Sequence, residues 1–317
     1  MEKITVYGLP LNPTPLLNQL EGASFCVSYG TRQKLGKQLD QAIDLVGDML
    51  LVDNGAFSAH QAGIDTMSDE SYLDGFATWA NDILDRCPQA VAVIPDVIGG
   101  TWQQNAELVE NTMCMFSDTD RLMPIWHMHE PIAYLTGLCE RFGFVGIGSS
   151  GEYFQVGTDK WHARMTEAIA AIDELVAQSE GSIVRPHIHL MRAQSMAHLY
   201  QVDSSDSVNV SMNHGRYRKE GEGHVGRFAA RVDARIQASA GPATETQQLR
   251  GPIALHVELQ AEDLAAATAP GATEVDRWIA AYRHGVPVLD LGGSLVVELP
   301  KPVPGELVIP DFLKRAA

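Results

Sequence analysis

The feature that most constrains this chain is a repeated alternation of short β-branched runs with longer segments of helical period. Eight runs read as strands: Phe25–Tyr29, Met49–Asp53, Ala90–Asp96, Leu122–Met128, Phe144–Gly148, Val184–Leu190, Tyr200–Asp203 and Val208–Ser211. Several are apolar without interruption, as expected for parallel strands buried on both faces. Between them, Tyr72, Leu73, Phe76, Trp79, Ala80, Ile83 and Leu84 recur at i, i+3, i+4 spacing, with Ser68 as a cap and Asp69 and Glu70 in the first turn. Two further helical stretches run from Pro131 through Leu135, Leu138 and Phe142, and from Trp161 through Met165, Ile169, Ile172 and Val176. Such alternation implies a parallel sheet, closed or open, and predicts an α/β fold of the TIM-type (β/α)8 barrel class over residues 1–240. From Gly241 onward the rhythm stops. Gly241-Pro242, Gly251-Pro252, a helix around Val275–His284 and short strands such as Ser294–Leu299 predict a small C-terminal α+β appendage over 241–317.

Composition narrows the setting. A hydrophobic content of 45% can fill a core for 317 residues, yet no apolar run reaches the length of a membrane span, so no membrane partner is expected. The opening Met1-Glu2-Lys3-Ile4-Thr5 lacks the blocks of a secretory signal, and the four cysteines (Cys26, Cys87, Cys114, Cys139) are scattered. These features predict a cytoplasmic location, with neither a disulfide framework nor a cysteine-cluster zinc site. The net charge of -17 does not suggest an obvious phosphate-binding surface. The densest basic stretch, Arg216, Arg218, Lys219, His224, Arg227, Arg231 and Arg235, has the pattern of a solvated helix face.

Polar side chains collect where the strands end, the place where α/β barrels carry their sites. Asp53 closes Leu51-Val52-Asp53-Asn54-Gly55-Ala56-Phe57, and Asp96 closes Ile94-Pro95-Asp96. His127, His129 and Glu130 follow Pro124-Ile125-Trp126. Gly146-Ile147-Gly148-Ser149-Ser150-Gly151-Glu152 ends another run, His187 and His189 alternate along the next, and Asp203 and Asp206 flank Ser204-Ser205. A histidine pair at i, i+2 on a strand points to one face. Two chemistries use such a set. One is a metal-dependent hydrolase, with His127, His129, His187 and His189 holding a divalent ion that activates water. The other is carboxylate chemistry at a sugar anomeric carbon, where one aspartate attacks and another moves the proton of the departing base. A barrel that merely binds a nucleobase would use Asp96 and the glycines but leave two aspartates without a task.

Taken in order, these motifs resemble the tRNA-guanine transglycosylase superfamily. Val52-Asp53-Asn54-Gly55-Ala56-Phe57-Ser58 is similar to that family's Asp-Ser-Gly-Gly-Phe motif, Pro95-Asp96 to its base-reading aspartate, and Gly146-Ile147-Gly148-Ser149-Ser150-Gly151-Glu152 to its glycine-rich loop. Asp203-Ser204-Ser205-Asp206-Ser207 keeps the Asp-x-x-Asp spacing of the nucleophile segment, and Asn209 and Asn213 match the form in the phage and genomic-island branch that places 7-deazaguanines in DNA. The resemblance covers Phe25 to Gly215 and lacks the tRNA enzymes' cysteine-held zinc. It implies Asp206 as nucleophile with Asp203 as its competitor, Asp53 as general acid/base, and Asp96, Gly148, Ser149, Asn209 and Phe57 or Tyr153 around the base. It implies no cofactor, a 7-deazaguanine base as partner, DNA ahead of tRNA as the acceptor nucleic acid, and a basic surface that a partner subunit could supply.

Overall fold

A computed structural model describes residues 2–237 of the chain, apart from 65, 66 and 68. The predicted appendage over 241–317 and the predicted cap Ser68 lie outside the described residues. The strands are β1 (Ile4–Gly8), β2 (Ser24–Ser28), β3 (Leu50–Asp53), β4 (Ala90–Val93), β5 (Leu122–Met123), β6 (Ile125–His127), β7 (Phe144–Gly148), β8 (His187–Leu190) and β9 (Ser204–Ser207). They form one nine-stranded sheet in the order β5-β4-β3-β2-β1-β9-β8-β7-β6. Every pairing is parallel.

The two ends of that order are halves of one extended segment. Pro124, which has no N–H to give a ladder, separates β5 from β6. The first half pairs with β4 through Ala92↔Leu122 and Val93↔Met123, and the second with β7 through Ile125↔Gly146 and His127↔Gly148. Gly146 N–H also donates to Pro124 O at 2.9 Å. The sheet thereby closes on itself as a TIM-type (β/α)8 barrel, in agreement with the strand–helix rhythm of the sequence.

Helices cover the outside of the barrel. Helix Glu70–Arg86 buries Phe76, Ala80, Ile83 and Leu84, and its cap is Asp69, whose side chain accepts the Tyr72 N–H. Helices Ile132–Arg141 and Asp159–Gln178 bury Leu135 and Leu138, and Trp161, Met165 and Ile172, as their periodicity requires. Each fully buried large apolar side chain stabilises the fold by roughly 1.5–3 kcal/mol relative to exposure. Facing these helices are the outward residues of the strands, among them Phe25, Val27, Leu50, Val52, Ala92, Trp126, Ile147 and Ile188.

The inward residues divide the barrel interior in two. Val6, Leu51, Val91, Val93, Met123 and Ile125 make an apolar cluster. On β8 and β9 the inward positions are instead His187, His189, Ser204 and Asp206. The apolar half is an ordinary barrel core, whereas the polar half must find internal hydrogen-bond partners.

Four sequence expectations change. Ile4–Gly8 is a central strand, flanked by β2 and β9, that the list of apolar runs omits. Tyr200–Asp203 is not a strand, because the ladder begins at Ser204, and Val208–Ser211 lies largely in helix Asn209–Asn213. At the start of the predicted run Val184–Leu190, Val184 is 85% exposed and pairing begins only at His187.

Candidate active site

The strands deliver two carboxylates to the C-terminal mouth of the barrel, Asp206 buried and Asp53 half-buried. Asp53 is the last residue of β3, aligned with Ser28 at the end of β2. Asp206 lies inside β9, aligned with Val6 of β1. Cys26, Ser28 and Asp53 all keep accessible surface although they sit on the interior face.

The two carboxyls experience opposite environments. For Asp53, burial is the largest influence and pushes the carboxyl above the usual range; Asp206 and Asp96 add to this, while Arg192 and the Ser28 hydroxyl oppose it. For Asp206, burial would also push upward, but the bond and charge of His189, the Arg192 N–H and the Arg192 guanidinium outweigh it. Asp206 is held below the usual carboxylate range. Its Oδ1 accepts the Arg192 N–H at 2.7 Å and faces His189 Nε2 at 3.3 Å. Paired carboxyls driven apart in this way divide into an acid and an ionised base or nucleophile. The neighbouring Cys26 thiol is pushed well up by burial and by Asp53 and Asp206, so it stays neutral.

Behind Asp206 runs a hydrogen-bonded file of side chains. Ser204 Oγ lies 2.7 Å from His189 Nδ1 and 2.7 Å from His187 Nε2. The His187 ring is lowered to about 4, chiefly by burial, and is neutral at pH 7. The Ser204 hydroxyl thus bridges the two rings, with one proton to give and lone pairs to accept, while the other side of His189 meets Asp206. The file keeps every member of the polar half satisfied.

Asp96 is fixed from two sides. Asn54, 1% exposed, donates to Asp96 Oδ1 at 2.7 Å and to the Ile94 carbonyl at 2.8 Å, while its own Oδ1 accepts the Ala56 N–H at 2.7 Å. The second Asp96 oxygen stands 2.9 Å from His127 Nε2. That approach is close, though short of strict hydrogen-bond alignment, and Asp96 acts on the ring both as an acceptor and through its charge. Burial alone would lower the His127 ring, yet Asp96 and Glu130 raise it above its ordinary value. Glu130, 1% exposed, accepts from Asn105 Nδ2 at 2.7 Å and from the His127 N–H at 2.8 Å, and Asn105 Oδ1 accepts the Val97 N–H at 2.8 Å.

Other predicted residues fall into place around this centre or away from it. Gly148 ends β7 beside His127, where an added Cβ would lie 3.5 Å from His127 Nδ1. Phe57 sits in the first turn of helix Ala56–Gln61, with the Arg192 guanidinium 4.5 Å from its ring centroid. Asp203 is not brought to the mouth. It precedes β9, accepts the Ile188 N–H at 2.7 Å and lies 3.5 Å from Arg185, at the opposite end of the strand from the mouth. Ser149 Oγ accepts the indole N–H of Trp161 at 2.9 Å, and Asn209 Oδ1 accepts from Asn213 at 2.8 Å. Tyr153 lies under the cations of Lys160 and Arg164, and Glu152 pairs with Lys160.

Of the four histidines singled out in the sequence, His127 ends β6, His129 follows it by two residues, and His187 and His189 lie on β8. His129 is held by Ser150 Oγ at 2.7 Å and the Gly100 carbonyl at 2.8 Å, and the others bond as described. Among the described residues, no three His, Cys, Asp or Glu side chains form a group arranged to hold a metal ion. A separate hollow of about 560 Å³ lies between Tyr29–Arg32 and helix Glu70–Arg86, away from these carboxylates.

Arg192 is the residue that sequence reading missed. It touches Asp206 and Phe57 and its charge faces Asp53, but no motif surrounds it. Fold and site together define a (β/α)8 barrel with two carboxyls of opposed proton affinity at its mouth. Compared with known proteins, the chain matches no family model and no curated relative.

Proposed function

We propose that this chain is a transglycosylase that exchanges guanine for a 7-deazaguanine base, such as the 7-cyano form, in DNA. The observation that carries this reading is the placing of two carboxylates at one mouth, Asp53 closing β3 and Asp206 on β9, where the Arg192 N–H at 2.7 Å and His189 Nε2 at 3.3 Å hold Asp206. Asp206, held ionised, attacks the anomeric carbon of a deoxyguanosine; the bond from that carbon to the base breaks as the aspartyl-glycosyl bond forms. Asp53, whose carboxyl burial pushes above the usual range, gives its proton to the departing guanine. The 7-deazaguanine enters the vacated space, loses its ring proton to Asp53 and attacks the same carbon, which releases Asp206. Asp96 accepts hydrogen bonds from the ring N–H and exocyclic amine, and the missing side chain at Gly148 leaves room for the edge of the base. The target nucleotide leaves the duplex to be reached.

The engagement of all four histidine rings in protein hydrogen bonds or ion pairs favours this reading over the hydrolase. The test is to supply labelled guanine with DNA and, separately, with tRNA, and to count label in the polymer. We expect incorporation into DNA by the native chain and by Asp203→Asn, and none by Asp206→Asn. Label in tRNA alone would move the acceptor, and undiminished exchange by Asp206→Asn would overturn the mechanism. If neither polymer is labelled, even with host extract present to supply a partner subunit, the reading fails.

A further inference from the structure

Arg192 follows β8 by two residues and has a φ of 56°; among the described residues only Glu180 shares a positive φ without being glycine. That left-handed backbone is disfavoured for a residue with a Cβ and persists where the surroundings over-determine it. Here the Arg192 N–H is fixed on Asp206 Oδ1 at 2.7 Å. The side chain returns over the mouth, exposed to solvent, and its guanidinium stands 4.5 Å from the Phe57 centroid. Phe57 is anchored in the turn that follows Asp53-Asn54-Gly55. A flat cation resting on this ring occupies the space in which a flat heterocycle would stack.

We propose that Arg192 is the gate of this mouth: its guanidinium covers Phe57 while the barrel is empty, and an incoming planar base displaces it from both Phe57 and Asp53. The identity of the base rests on the transglycosylase reading. The groups facing Asp53 are the Ser28 hydroxyl, the carboxylates of Asp206 and Asp96, the neutral Cys26 and Tyr72, and Arg192. Arg192 is the cation among them. When it swings away, Asp53 is left with two carboxylates and holds its proton more firmly. Stacking of the base thus arms the acid that the base needs in order to leave.

The experiment compares the native chain with Arg192→Gly, which suits the left-handed backbone and keeps the N–H to Asp206, and with Arg192→Lys, which keeps the charge without the planar stack. Guanine binding is measured by calorimetry in buffers of different ionisation enthalpy between about pH 5 and 8, which reads proton uptake on binding. We expect the native chain to take up protons, and Arg192→Gly to bind guanine several-fold more tightly with little uptake. In the ligand-free protein, carbon NMR of the Asp53 carboxyl should show its titration midpoint higher in Arg192→Gly than in Arg192→Lys or the native chain. Guanine bound equally, with equal proton uptake and an unmoved Asp53 midpoint, would overturn the gate alone. Guanine bound by neither protein would overturn the gate together with the transglycosylase reading.

Discussion

His189 reaches Asp206 from the neighbouring strand, its Nε2 3.3 Å from Oδ1. The register sets this pair: His189 stands opposite Ser204, so Asp206, two residues further along β9, is the next inward side chain. Replacing His189 with Phe keeps a ring but removes both of its bonds, and the Asp206 carboxyl should then rise towards protonation. Activity that needs Asp206 ionised would have its acid limb shifted to higher pH. The rate at its optimum should fall about 10- to 150-fold, from a charge-assisted bond worth about 1.5–3 kcal/mol. A pH–rate profile checks both, and His189→Gln should recover part of the loss.

Asp53 occupies a position that costs the fold stability at neutral pH. Its carboxyl is raised on folding, so the folded chain binds more protons than the unfolded one above the ordinary aspartate value of about 3.9. The stabilisation this gives is complete below that value and is lost as pH rises through the raised one. Asp53→Asn should therefore unfold at a higher temperature than the native chain at neutral pH, by about 2–4 °C per kcal/mol regained. The two should converge in acid. Base exchange should be lost in the same variant, which thermal melts across pH and an exchange assay would check together.

Gly55 is required by a backbone crossing. It has a φ of 77°, and an added Cβ would lie 2.5 Å from the Gly30 backbone nitrogen. Backbone cannot yield as a flexible side chain can, so Gly55→Ala should cost roughly 2–3 kcal/mol or more in denaturant unfolding. Because this turn carries Asn54 and Phe57, residual folded protein should also bind base poorly.

Asn105 satisfies two backs of the site at once, Glu130 on one side and the Val97 N–H on the other. Asn105→Ala leaves a buried carboxyl without that donor, at a cost of about 1–3 kcal/mol. Equilibrium unfolding should show the loss. A change within error would mean that the network around Glu130 rearranges freely.

Much of the barrel was legible because its strands are apolar on both faces. Phe144–Gly148 was read with its observed bounds, and the helices followed their buried stripes. What escaped did so for physical reasons. β9 is Ser-Ser-Asp-Ser, a strand without a strand's composition, because its inward positions belong to the polar file. The neighbouring Tyr200–Asp203 and Val208–Ser211 have the right composition without the ladder. Asp53, Asp96 and Asp206 were legible as strand-end carboxylates, whereas Asp203 shares the spacing of Asp206 but sits three residues earlier, at the other end of the strand. Arg192 could not be seen, since its place depends on a positive φ at a residue that is not glycine. Asn54 and Asn105 orient other side chains, and such a role leaves no spacing to detect.

The break at Pro124 has a consequence for the ring as a whole. Backbone pairing between β4 and its neighbour ends with the Ile94 N–H on the Met123 carbonyl, and beyond it the Ile94 carbonyl is taken by Asn54. From there to the rim, Asp96 and His127 hold the two flanks together at 2.9 Å. At this one position the barrel is fastened by a side-chain clasp in place of a ladder, and the clasp is tightest when His127 carries its proton. A ligand that donates hydrogen bonds to Asp96 would therefore compete with that fastening.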